Sequence, residues 1–258
     1  MKQILTDSVG LMKKKYGRII TNCYNLDIFD EKEIILKEET EGFIVYVIKD
    51  SEVHRLFYFA KDESVLRGVV NIAQKTDSVI EVVTRKPEAE REMLIRAGLR
   101  EYASLLRFSC TDCSKLNLFQ ESDILPENCH AATNGEAADI YRKLHETFDK
   151  RISHLGTLQE IYQSIERGEF YISETKEGEI VTLLQLVKEP GKLYINQVIN
   201  DREKGCIHPL LKKLISEYVL SGGKYLYSWI ESDNVASLKF HMKYGMKHDG
   251  TTNLIFVG

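Results

Sequence analysis

Apolar residues recur along this chain in two rhythms, short unbroken runs and three-to-four-residue spacings. Their alternation predicts strands interleaved with helices. In the first half, residues 43–48 and 56–59 read as strands and 63–74 as a helix. Residues 79–83 read as a further strand, a helical pattern after Pro87 stops at Gly98, and 105–108 is a strand again. In the second half, residues 136–148 put Ala137, Ile140, Tyr141 and Leu144 on one helical face. Residues 157–167 form a second helix, with Thr157 as its N-cap and Gly168 as its stop. Strands at 170–173, 180–187 and 193–199 follow, the first two joined by a turn at Glu177-Gly178. A helix over 209–220 precedes a strand at 225–230. Ala236, Phe240 and Tyr244 then mark a helix stopped by Gly245, and 253–257 closes the pattern as a strand. That order predicts an α/β fold with a mixed sheet.

The two halves end alike. Gly98 and Gly245 superpose at an offset that also pairs Val83 with Ile230, Met93 with Phe240 and Leu99 with Met246. One strand, helix, glycine and strand matched without a gap indicates an internal repeat. Between the halves the sequence turns polar and irregular, so the expected division is a first domain over 1–108, a linker over 109–127 and a second domain over 128–258. The length of 258 residues suits two domains of about 100–150 each.

Composition narrows the classes. With 43% hydrophobic and 29% charged residues the chain can bury a core and stay in water. A net charge of -4 argues against a nucleic-acid partner, which calls for a basic excess. No apolar run is long enough to cross a bilayer, and residues 1–7 lack a secretory signal, so no membrane partner and a cytoplasmic location are expected. The five cysteines make no regular disulfide framework. Cys110 and Cys113 form a C-x-x-C with no second pair of ligands, so no metal site is expected.

Candidate chemistry concentrates between the strand ending near Ile199 and the helix at Pro209, in Arg202-Glu203-Lys204-Gly205-Cys206-Ile207-His208. A strand passing through a tight loop into a helix start presents first-turn amides and the positive end of the helix dipole, a setting for an anion. Glycine there lets the backbone approach a phosphate closely.

Arg202, Gly205, Leu210 and Leu211 resemble the pyrophosphate loop of the GNAT (GCN5-related N-acetyltransferase) superfamily, with Ile207 where a small residue is usual. The stretch from Asn234 to Met246 resembles the family's second signature, with His241 in the slot of a tyrosine. The resemblance covers the second half well and implies a GNAT-like acyl-CoA N-acyltransferase fold, in tandem with a degenerate first copy. It implies acetyl-CoA as cofactor, entering between two parted parallel strands. Main-chain groups at Gln197, Val198 and Ile199 would meet the pantetheine, and amides from Glu203 to His208 the pyrophosphate. Asn234 would bond the cofactor or cap its helix. His241 would either serve as an imidazolium, giving a proton to the departing thiolate, or hydrogen-bond and pack beside the cofactor. Glu231, at the carboxyl end of its strand, is the candidate general base, where open α/β sheets place ligands. The implied activity is acetyl transfer from acetyl-CoA to the primary amine of a small-molecule acceptor. A non-catalytic coenzyme-A-binding or interaction module stands as the alternative. In the first half, the corresponding loop carries Asp62 and Glu63 and no glycine, which predicts that this copy binds no coenzyme A.

Overall fold

The computed structural model describes residues 2–113 and 127–258. The chain forms two units, and neither is a continuous stretch of sequence. Unit 1 takes residues up to 105, the segment Lys150–His154 and the end of the chain, Thr251–Gly258. Unit 2 takes the described residues of 106–149 and Leu155–Gly250.

Unit 1 begins with α1 (Lys2–Tyr16), β1 (Ile20–Thr21) and α2 (Ile28–Glu31). Then come β2 (Glu33–Glu39), β3 (Phe43–Asp50), β4 (Val53–Ala60), α3 (Leu66–Thr76), β5 (Ser78–Thr84), α4 (Pro87–Ala97) and β6 (Arg100–Cys110), which runs on into unit 2. Strands β2, β3 and β4 form an antiparallel meander, and β5 joins β4 in parallel after the crossover helix α3. The sequence pattern passed over α1 and β2. Helix α1 is rich in lysine, and β2 (EIILKEE) leaves its alternate residues largely exposed.

Unit 2 repeats this plan. It contains β7 (Cys129–Ala131), α5 (Ala137–Thr147), α6 (Leu158–Glu166), β8 (Phe170–Glu174), β9 (Ile180–Glu189) and β10 (Lys192–Asn200). After these come α7 (Ile207–Leu220), β11 (Tyr225–Glu231), α8 (Val235–Lys243) and β12 (Lys247–Val257), which belongs to unit 1 from Thr251 onward. Strands β7 to β10 form an antiparallel meander, and β11 joins β10 in parallel after α7. The repeat extends to the helix ends. Gly98 caps α4 at φ 110°, with Leu99 N–H bonded to Leu94 O, and Gly245 follows α8 at φ 76°, with Met246 N–H bonded to His241 O. Thr157 caps α6 as expected, in a capping box with Glu160. Helix α7 starts at Ile207, two residues before the expected start at Pro209.

The closing strand departs from expectation. Residues 253–257 were expected to complete the second half, but β12 pairs antiparallel with β5, from Thr252 opposite Thr84 to Val257 opposite Val79. Leu254 and Phe256 are fully buried in unit 1's core among Val82, Leu94 and Leu99. Burying two such side chains contributes about 1.5–3 kcal/mol each, a strong reason for the strand to stay there. The first boundary shifts too, because β6 continues to Cys110 without a break at 108. Of the expected linker, residues 114–126 lie outside the described residues.

Unit 1 holds a charged cluster at the point where β4 and β5 part. Their parallel register runs only through His54–Ser78 and Arg55–Val79. Arg55, 2% exposed, bonds Asp50 through Nε (2.6 Å) and Glu81 through Nη1. Its Nη2 donates to the carbonyls of Lys150 and Ser153. His154 puts Nδ1 at 2.8 Å from Asp50 and Nε2 at 3.0 Å from Glu81. Carboxylates only accept, so both ring nitrogens carry protons and the ring is an imidazolium. Burial opposes that charge, but the field of Glu81 and the bonds to both carboxylates outweigh it and raise the pKa to about 9. Burial likewise opposes the Glu81 carboxylate, yet His154 and Arg55 hold it down to about 2.

The sign of the linkage follows. Stability from His154 is complete below its ordinary pKa of about 6.5 and is lost as pH rises through about 9. Stability from Glu81 is complete above about 4.3 and is lost as pH falls through about 2. The ring is 55% exposed, so solvent screening makes the alkaline arm the shallower of the two. Melting temperature measured against pH is expected to fall in both windows. His154→Gln should flatten the alkaline one, and an unchanged alkaline fall in that variant would overturn the assignment.

Among the described residues, no helix is long and apolar enough to cross a membrane.

Candidate functional site

Unit 2's site starts from a defect in its sheet. Strands β10 and β11 pair in parallel from Lys192–Tyr225 to Ile195–Ser228, and the register goes no further although both strands continue. A bulge in β10 falls at the same place, between Ile195 and Gln197 in the pairing with β9. Ser228 Oγ donates to Ile195 O at 2.9 Å and closes the paired part. Beyond that point lie Gln197, Val198 and Ile199 on one strand and Trp229, Ile230 and Glu231 on the other. Gln197 is 5% exposed, and Val198 and Ile199 are half-buried. Asn196 turns back to donate to Gln185 Oε1 at 2.8 Å.

Side chains of β11 alternate between faces. Leu226, Ser228 and Ile230 are buried, while Tyr225, Tyr227, Trp229 and Glu231 are half-buried on the other face. Tyr227 stacks on Tyr194 with centroids 4.6 Å apart and planes 4° from parallel, and the Arg107 guanidinium lies over Trp229. Trp229 is therefore outside the core. Glu231 ends that face, and its carboxyl pKa is raised by burial and then by Asp233 and Asp149.

His241 lies on α8, 3% exposed. Its Nδ1 stands 2.8 Å from Ser237 O, which only accepts, so Nδ1 carries the proton. Nε2 is left buried with no partner among the described residues. Burial lowers the ring's pKa, against the hydrogen bond to Ser237, which raises it. With Nδ1 committed to Ser237 O, Nε2 is the nitrogen left to meet a ligand. Asn234 resolves to the cap, its side chain accepting from Ser237 N–H at 3.0 Å.

The loop before α7 is closed on itself. Asp201 Oδ1 accepts from the amides of Glu203 (2.8 Å) and Lys204 (2.9 Å), and Asp201 O accepts from Gly205 N–H (3.0 Å). Thr182 Oγ1 takes Cys206 N–H at 2.8 Å, and Asn200 Oδ1 takes Ile207 N–H at 3.1 Å. Five consecutive amides that the resemblance assigns to a pyrophosphate thus have acceptors already. The Asp201 carboxylate stands where an anion would, and the two amides it accepts from lower its pKa. Pro209 has no amide, and among the described residues His208 supplies the remaining first-turn donor of α7. Asp62 closes the matching loop of unit 1 in the same way, accepting from Ser64 N–H.

The other loop residues fall into place around this. Gly205 is required by close approach, since a Cβ there would lie 2.2 Å from Asn200 Oδ1 and 2.5 Å from Asp201 O. Ile207, in the family's small-residue slot, buries its side chain with Leu210 and Leu211. Arg202, Glu203 and Lys204 are exposed, and His208 bonds Tyr244 Oη through Nδ1 at 2.7 Å. Sequence reasoning missed Asp201, Asn200 and Thr182. An aspartate directly after a strand and two residues before the amides it caps was the available signal.

A coenzyme A molecule fits this site in part. The β10–β11 register ends at Ile195 and Ser228, the place where a pantetheine arm would enter, while the loop must release Asp201 before its amides can meet a phosphate. No metal was expected, yet His130, Glu136 and Glu174 bring ligand atoms within 4.8 Å of one another. Glu136 is already committed to His130 and to the capping box of Thr133, which accounts for its position.

A meander, a crossover helix and two parallel strands that part midway, present twice in this chain, are the fold of solved GNAT proteins. Solved structures agree. A GCN5-related N-acetyltransferase from Sphaerobacter thermophilus superposes with a TM-score of 0.58 at 14% identity, over 83% of this chain and 76% of that one. A tandem GNAT protein from the clavulanic acid biosynthesis pathway gives 0.55 at 9% identity, over 84% and 78%. A Drosophila protein gives 0.53 at 15%, over 100% and 97%. No family model matches the chain, and no curated protein matches it.

Proposed function

We propose that unit 2 is an N-acyltransferase that uses acetyl-CoA to acylate the primary amine of a small-molecule acceptor. The observation that carries this reading is the parting of β10 and β11 beyond Ile195 and Ser228, with Glu231 at its carboxyl end. When bound, the cofactor supplies an activated acyl carbonyl and a thiolate leaving group. Gln197, Val198 and Ile199 offer main-chain partners to its pantetheine, and Gly205, Cys206, Ile207 and His208 carry the amides nearest its phosphates once Asp201 lets go. Glu231, with its pKa raised by burial, takes the proton that the amine must lose before it can attack. His241 Nε2 acts as a hydrogen-bond or proton acceptor. The aromatic face of Tyr194, Tyr227 and Trp229 beside Glu231 favours an acceptor with an apolar body and a cationic amine.

A second reading, a coenzyme-A-binding or interaction module without turnover, is favoured by the self-satisfied loop. Acetyl-CoA titration followed by melting temperature separates the outcomes. A ligand at one hundred times its dissociation constant stabilises the folded chain by about 2.7 kcal/mol. Gly205→Glu, which forces a side chain onto Asn200 and the Asp201 carbonyl, is expected to abolish the shift, and Asp201→Ala to enlarge it. Binding without turnover on any amine in a broad screen would support the module. Absence of a shift in both the natural chain and Asp201→Ala would overturn both readings.

A further inference from the structure

We propose that Cys129 and Cys206 are an oxidisable dithiol whose disulfide fastens the loop before α7 to the edge strand β7. Their Sγ atoms stand 3.0 Å apart, although the residues are 77 positions apart in sequence. A bonded pair lies at about 2.05 Å, so closure needs a movement of roughly one ångström. Both sulfurs sit on fixed elements. Cys129 opens β7 opposite Ser173 of β8, and Cys206 precedes the first turn of α7 with its amide held by Thr182.

The surroundings favour reaction at Cys206. The contact between the two sulfurs lowers the pKa of Cys206 and raises that of Cys129. Cys206 stands at the N-terminus of α7, where thiolates are stabilised. Cys206 is 5% exposed and Cys129 half-buried, which admits a small oxidant. With hydrogen peroxide the balance is complete. The Cys206 thiolate attacks one peroxide oxygen, an S–O bond forms, the O–O bond breaks, and hydroxide leaves and is protonated to water. The Cys129 sulfur then attacks the sulfenic sulfur, the S–S bond forms, and the second oxygen departs as water with the Cys129 proton. Two electrons pass from the sulfurs to the peroxide.

The C-x-x-C that stands out in the sequence is the competitor. Cys113 is fully buried, its pKa is pushed up to about 12 by burial, and it lies against the Cys110 carbonyl. That setting withholds the thiolate on which oxidation depends.

A disulfide at Cys206 would hold the loop in its closed form, with Asp201 on the amides. This consequence rests on the reading of that loop as the cofactor site, whereas the disulfide itself does not. The test treats the reduced full chain with stoichiometric hydrogen peroxide, counts thiols after unfolding and maps peptides without reductant. Of five thiols, two are expected to disappear and to return with dithiothreitol, and the linked peptides should contain Cys129 and Cys206. Cys129→Ser should lose a single thiol and leave a sulfenic acid on Cys206 that dimedone captures. Five thiols retained, a Cys110–Cys113 link, or loss of two thiols in Cys129→Ser would each overturn the proposal. Calorimetry with acetyl-CoA on the reduced and oxidised chains then reads the loop. Weaker binding after oxidation supports the lock, and equal binding removes it. A reduced chain that binds none while the disulfide still forms counts against the acyltransferase reading alone.

Discussion

Replacing Arg55 by leucine is expected to destabilise the chain by about 3–5 kcal/mol, because the substitution breaks a buried ion network from its centre. The guanidinium is 2% exposed and bonds Asp50, Glu81 and two backbone carbonyls. Leucine fills much of the volume but leaves Asp50, 9% exposed, and the Glu81 carboxylate facing only the solvent-exposed His154 imidazolium on this side of the cluster. Lys32, at 3.1 Å from Asp50, compensates from a more exposed position. Urea denaturation of the full chain reads the loss as a lower midpoint, and a change below about 1 kcal/mol would mean that the network stabilises no more than a surface pair does. Arg55→Lys keeps the charge but cannot span both carboxylates and both carbonyls, so it should recover only part of the loss.

Glu231→Gln is expected to lower turnover by about 10²–10⁴-fold once an acceptor amine has been found, the range usual for a lost general base. Acetyl-CoA affinity should stay near its natural value, because the carboxylate acts on the amine. The natural protein's rate should rise with pH through a carboxyl value above the ordinary one, following the raised pKa of Glu231. That limb should vanish in the glutamine variant. Steady-state rates across pH decide the matter. A variant with full turnover, or one that keeps the same limb, would remove Glu231 from the chemistry.

Much of unit 2 was legible because its elements carry their own punctuation. Thr157 and Asn234 cap helices, Gly168 and Gly245 follow them, and the runs that become β8 to β11 are bounded by turn residues. Local signals of this kind survive without tertiary context. The repeat was legible for the same reason, since Gly98 and Gly245 demand the same left-handed conformation. Strand partnership was not legible. Residues 253–257 announce a strand, but nothing in their alternation says whether β5 or an element of the second half accepts them. The cluster around Arg55 was equally hidden. Positions 50, 55, 81, 154 and 253 are ordinary polar residues until the fold gathers them. Loop closure by Asp201 was missed because a charged residue beside a glycine-containing loop reads as solvent-facing, whereas its carboxylate caps two amides.

The placement of β12 bears on the order of events during synthesis. Unit 1 receives residues 251–257 as the neighbour of β5, and those residues emerge from the ribosome after nearly all of unit 2. A nascent chain can therefore assemble the meander of unit 2 while β5 still has an open edge, the kind of edge that invites pairing with other chains. The first unit to be translated is thus the last to be completed.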